Sequence, residues 1–123
     1  MCRCVDSLLV GGEDVEIIIV DDESVDDTGK IADEYARKYP SIVRVIHQEN
    51  GGHGAGLNAG LNHATGLYFK VIDSDDWVDE ESYHQILDTL HNLCSAGCML
   101  DMMISNFVYE KEGARHKLSL IHI

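Results

Sequence analysis

Residues 16–24 read Glu-Ile-Ile-Ile-Val-Asp-Asp-Glu-Ser. Four β-branched residues in a row, Ile17 to Val20, specify a strand, because branching at Cβ stiffens χ1 and suits a pleated surface. No polar residue alternates with them, so the run suits a strand covered on both faces, as inside a parallel sheet. It stops abruptly at Asp21-Asp22. In open α/β sheets ligands bind beyond the carboxyl ends of the strands, which is where these two carboxylates fall.

Working outward, residues 2–9 (CRCVDSLL) read as the end of an amphipathic helix that Gly11-Gly12 breaks. After the acidic pair, a helix is predicted from Thr28 to Tyr39. Ser24, Asp26 and Asp27 offer oxygens for its N-cap, Ile31, Ala32, Tyr35, Ala36 and Tyr39 form its apolar stripe, and Pro40 stops it. Val43 to Ile46 is a second strand. A polar, glycine-rich loop runs from His47 to His53, and a helix of small residues follows from Ala55 to Ala64, stopped by Gly66. Leu67 to Ile72 reads as a third strand, Glu80 to Leu93 as a helix with Tyr83, Ile86, Leu87, Leu90 and Leu93 on one face, and Met102 to Val108 as a last strand. Alternating strands and helices predict an α/β domain with a mostly parallel twisted sheet and flanking helices.

The chain of 123 residues allows one domain and is 45% hydrophobic and 25% charged, a globular composition. A net charge of -13 argues against nucleic acid and anionic membrane surfaces, which need a basic face. A phosphorylated ligand stays open if a metal ion or helix N-termini bridge the repulsion. Cys2, Cys4, Cys94 and Cys98 could be read as a zinc site, but Cys94 and Cys98 lie one helical turn apart in an apolar stretch and read better as buried free thiols of a reducing compartment. With no secretory leader or membrane-spanning run in view, a cytoplasmic location is expected, with association at the inner membrane face open through other parts of the protein.

The densest chemistry is Asp73-Ser74-Asp75-Asp76-Trp77, straight after the third predicted strand. Carboxylates this close repel one another unless a hard divalent cation sits among them, and Mg²⁺ or Mn²⁺ sharing carboxylates with substrate phosphates is the usual arrangement. The plain alternative is a solvated turn, with Asp79 to Glu81 favouring the start of the next helix. Asp22 could accept hydrogen bonds from a nucleobase or ribose, or cap the helix after it. Asn50-Gly51-Gly52-His53-Gly54 is a loop where backbone approaches something closely or takes positive φ, and the amides of the helix it enters could meet phosphate. His53 either touches ligand or is solvated. Tyr68 and Trp77 read as packing residues, and His47, His63, His84 and His91 form no recognisable metal spacing.

The order of these pieces is more specific than any one of them. EIIIVDDES, HQENGGHGAGLNAGLNHATGLYF and KVIDSDDWVDEES together resemble the family 2 glycosyltransferases with the GT-A, Rossmann-like fold, over about residues 3 to 112. The resemblance implies inverting transfer of a sugar from a nucleoside-diphosphate sugar, UDP-linked foremost, to an acceptor hydroxyl on a glycan, lipid or protein. It implies that Asp22, with Asp21 and Ser24 beside it, meets the base. Asn50, Gly51, Gly52, His53 and Asn58 would line the nucleotide pocket, and Asp73, Ser74, Asp75 and Asp76 would hold the metal and the diphosphate. Two departures stand out: Leu57 where the family often has Arg before the Asn, and Glu23 where Gly or Asn is usual, the latter expected to matter little.

The family's first strand, which would lie between the Ile17–Val20 and Leu67–Ile72 strands, is not in this sequence, and a catalytic base is expected beyond its end. The chain alone is therefore expected not to transfer sugar and to be marginal in stability. Residues 118–123, LSLIHI, match the translation of a transposon end used in sequencing libraries and are expected to be adapter-derived, leaving residues 1–117 as the domain. Two other classes compete. A two-component receiver domain would use the acidic pair for Mg²⁺ and Asp73 as phospho-acceptor, but has no place for the glycine loop. A dinucleotide-binding oxidoreductase would use Gly54-x-Gly56-x-x-Ala59, but those glycines sit too far beyond the strand.

Overall fold

The computed structural model describes residues 1–23, 25–49, 51–98 and 100–105, and the backbone of 107–111 and 114–118. Two compact units emerge, Met1–Asp88 and Thr89–Ile123.

The first unit opens with helix α1 (Cys2–Leu9), a short 3₁₀ turn (Gly12–Asp14) and strand β1 (Ile17–Asp22). Helix α2 (Thr28–Lys38) leads to strand β2 (Val43–Gln48), and helix α3 (Gly52–His63) follows. Helix α4 (Glu80–Ser95) begins in this unit and runs into the second. β1 and β2 pair in parallel, Ile17 with Val43 through Asp22 with Gln48. A parallel pair needs a crossover, and α2 supplies it.

Side chains alternate across a strand, so β1 has two distinct faces. Toward α2 point Ile17 and Asp21, with Val43 and His47 from β2; Ile17, Val43 and Ala32 of α2 are buried. Toward α3 point Val20 and Asp22, with Gln48 from β2. α3 comes close because Gly56 and Gly60 face Val20: a Cβ built on either would lie 3.8 or 3.9 Å from it. Cys4 and Val5 of α1 complete the buried apolar set. Tyr83 of α4 lies over Gly11, where a Cβ would come within 2.6 Å of its hydroxyl, and donates to the Leu8 carbonyl at 3.1 Å.

Helix ends follow local chemistry. The Asp26 carboxylate accepts from the Thr28 amide at 3.0 Å at the start of α2, and Asp79 accepts from the Ser82 amide and hydroxyl at the start of α4. α3 begins three residues before the predicted Ala55. α4 ends on Gly97 in the left-handed region (φ 77°), with the Cys98 amide returning to the Leu93 carbonyl.

Three expectations change. Leu67–Ile72 forms neither helix nor paired strand; its sequence favours extension, but a strand needs a neighbouring strand, and among the described residues none pairs with it. For the same reason β1 is not covered on both faces throughout: Ile17 is its one buried residue, and Phe69 and Val71 are exposed. The thiols are all free as expected, yet only Cys4 is buried, while Cys2 and Cys98 are exposed.

In the second unit, strands β3 (Phe107–Lys111) and β4 (Ala114–Leu118) pair antiparallel. The last predicted strand therefore begins later than Met102 and pairs with β4. Leu118 closes β4, and the rest of the expected tail lies outside the described residues.

Candidate functional site

Two groups of site residues form at the carboxyl end of the sheet and beyond it. The first centres on Asp22. Its Oδ1 accepts from the Gly51 amide at 2.9 Å and from Gln48 Nε2 at 3.2 Å, and its Oδ2 from the Gly52 amide at 3.1 Å. These donors, the Gly51 amide foremost and then the Gln48 amide group, hold the carboxyl below its ordinary pKa. Asp22 thus caps α3, which lies far along the chain, and not the α2 that follows it. A carboxylate offers about four lone-pair positions, and donors from the described residues fill three of them. The Gly51 and Gly52 amides thus donate to Asp22.

Asp21 points to the opposite face. It bonds to His47 Nδ1 at 2.9 Å, and His47 Nε2 meets Asp33 of α2 at 2.7 Å. These two bonds, Asp33 first, raise the His47 pKa. The alternation of a strand therefore separates the two neighbouring aspartates, one to each helix. His53 and Asn58 are exposed on α3; Ser24 and Asn50 lie outside the described residues.

The second group is the turn Asp73–Asp76, closed by the Asp76 amide on the Asp73 carbonyl at 3.0 Å. Ser74 is exposed within it. Asp73, Asp75 and Asp76 each place a carboxylate oxygen within 4.8 Å of the others. Two oxygens on opposite sides of Mg²⁺ lie about 4.2 Å apart. The set is hard oxygen, exposed, and forms no ion pair with Lys, Arg or His among the described residues, so a small closure would fit it to Mg²⁺ or Mn²⁺. α1 holds the segment after the turn: the Val78 amide donates to Ser7 Oγ at 3.1 Å, and the Arg3 guanidinium stacks 3.6 Å from the Trp77 ring centroid.

A profile of the glycosyl transferase family 2 matches residues 1–116. The chain belongs to the family 2 glycosyltransferases. It is similar to EpsH of Bacillus subtilis, provisionally named a glycosyltransferase, with 43% identity over 100 residues, which are 81% of this chain and 27% of EpsH. The chondroitin synthase of Escherichia coli is 36% identical over 98 residues, 79% of this chain and 14% of the synthase. The poly(ribitol-phosphate) beta-glucosyltransferase of Bacillus spizizenii is 40% identical over 84 residues, 65% of this chain and 13% of that enzyme. The chain spans 27% of the length of EpsH and less of the other two. No solved structure matches it.

Membership in this glycosyltransferase family leaves the receiver and oxidoreductase readings behind. It also revises the weight of Glu23. The residue takes φ 52°, the left-handed region that Gly or Asn adopts at little cost, so the departure from the family pattern carries strain. Several residues escaped sequence reading. Gln48 is one, found only once the register sets it beside Asp22. Glu16 is another: it accepts from the Thr65 amide (2.9 Å) and hydroxyl (3.1 Å) and pairs with Arg44 at 2.9 Å, which also bonds the His63 carbonyl at the end of α3. The Ala-Thr-Gly segment is thus tied to the base of the sheet, opposite the site. The Thr65 amide first, then Arg44, lowers the Glu16 pKa.

Proposed function

We propose that this chain is the donor-binding part of an inverting glycosyltransferase. It would take a sugar from a nucleoside-diphosphate sugar, UDP-linked foremost, for transfer to a hydroxyl of a glycan, lipid or protein acceptor. Asp73, Asp75 and Asp76 would hold Mg²⁺ or Mn²⁺ against the diphosphate, with Ser74 beside them. Bound there, the cation would offset the charge growing on the departing diphosphate.

The observation that carries this reading is the convergence of three exposed carboxylates within a turn of a family 2 glycosyltransferase. Asp22 would orient the base through its carboxylate, while its bonds to Gly51, Gly52 and Gln48 fix its direction. Exposed His53 and Asn58, with Ser24 and Asn50, would line the nucleotide pocket. The names of the relatives, a chondroitin synthase and a poly(ribitol-phosphate) glucosyltransferase, favour assembly of a polysaccharide or cell-wall polymer. Residues 1–117 form the domain in this reading, and its place is the cytoplasm, where it can work at the inner face of a membrane. No helix among the described residues is long and apolar enough to cross one.

The metal assignment is tested by adding substoichiometric Mn²⁺ to the ¹⁵N-labelled full chain. The amide signals of Ser74, Asp75 and Asp76 should broaden before all others. Earlier broadening along Asp79, Glu80, Glu81 and Asp88, the rival exposed carboxylates at α4, would contradict it.

A further inference from the structure

His47 has both ring nitrogens against carboxylate oxygens, at 2.9 Å to Asp21 and 2.7 Å to Asp33. A neutral imidazole has one N–H, so only the imidazolium donates to both. Asp21 reaches it from β1 and Asp33 from α2, and Gly29 leaves the room: a Cβ there would come 2.7 Å from Asp21 Oδ2 and 3.6 Å from the His47 ring. The side chain of Asp21 is 11% exposed, that of His47 49% and that of Asp33 60%, so the bridge is covered at its strand end and open to solvent at its α2 end.

The bridge sits directly behind the site. Asp21 and Asp22 share a peptide, as do His47 and Gln48, and the register sets the two pairs opposite each other. On one face the pair Asp21–His47 is tied to α2; on the other Asp22–Gln48 meets the Gly51 and Gly52 amides.

We propose that His47, as an imidazolium, is a positioning residue for Asp22: by locking Asp21 and the strand tips to α2 it holds the Asp22 carboxylate on the Gly51 and Gly52 amides. Losing the proton turns a ring lone pair toward Asp21 or Asp33, opens one bond and frees the tip. If the donor reading above holds, nucleotide affinity falls with that proton. The sign follows from the bonds: the folded chain favours the charged ring, so the bridge is complete below about pH 6.5, the value of a free histidine, and is lost as pH rises through the higher folded value.

The test is an NMR titration of the full chain from pH 6 to 9, following the His47 ring and the Gly51 and Gly52 amides. Wild type should show the amides moving with the midpoint of the ring. Asp33→Asn, a change at an exposed helix position, should lower both midpoints together. His47→Lys should keep the amides at their low-pH positions throughout. Amides that stay still while the ring titrates, or a ring midpoint that shifts in Asp33→Asn without the amides, would overturn the proposal. UDP with Mg²⁺, titrated in parallel at pH 6.5 and 8.5, should bind about three- to tenfold more weakly at the higher pH in wild type and equally at both in His47→Lys, the net size of one ordinary hydrogen bond. UDP affinity indifferent to both pH and His47→Lys would also count against it. UDP that binds neither protein at either pH would sink the donor reading alone, leaving the amide signals to decide on His47.

Discussion

At the scale of single residues, the backbone of Glu23 carries the clearest cost. Its φ of 52° places a Cβ-bearing residue in the left-handed region, worth about 1–2 kcal/mol against it. Glycine removes the clash but gives the unfolded chain more freedom, which takes back part of the gain. Glu23→Gly should therefore raise stability by about 0.5–1 kcal/mol, read as a higher urea midpoint at unchanged slope. A lower midpoint would show that the Glu23 side chain matters more than its backbone. The sequence exposed the departure from the family pattern at this position but not its weight, because φ belongs to the turn and not to the residue. It likewise offered Asp21 and Asp22 as one acidic pair. The period of two in a strand was enough to foresee that they face apart; which helix waits on each face was not.

At the scale of elements, α3 depends on having no side chains where it meets β1. Gly60 is buried and lies beside Val20 and Phe69, with 3.9 Å from a built Cβ to each, an ordinary contact distance. Alanine fits there, and a helix interior gains up to about 1 kcal/mol from the exchange, so Gly60→Ala should raise the thermal midpoint. Gly60→Leu should lower stability by about 1–3 kcal/mol by prising the helix off the strand. Equal, small effects from both would mean that α3 is not seated on Val20. The helices and the two paired strands were legible because apolar spacing, cap residues and the Ile17–Val20 run are local signals. Leu67–Ile72 has the composition of a strand, but the strand expected beside it is not in this sequence, and among the described residues no strand pairs with it. The hairpin of β3 and β4 was missed because the expected strand was placed five residues early, on Met102.

At the scale of the molecule, the fold class and the family came from the order of motifs, each weak alone. The site was legible as two acidic clusters and a glycine loop. What sequence did not carry was their connection: Asp22 spends its oxygens on the loop's own amides, and the Asp73–Asp76 turn is followed by a segment held by α1 through Ser7 and Arg3. The buried apolar set among the described residues is small, Cys4, Val5, Ile17, Ala32 and Val43, in keeping with a modest margin of stability. The surface instead carries charge, -13 in total, and its proposed use is the metal site at Asp73, Asp75 and Asp76.

Calorimetric titration of UDP into the full chain, with and without Mn²⁺, and into the Asp73→Ala/Asp75→Ala variant, tests that placement most directly. Binding should require the metal and fall at least tenfold in the variant, the loss of two anionic ligands to a shared cation. UDP bound equally well without Mn²⁺, or equally well by the variant, would contradict it.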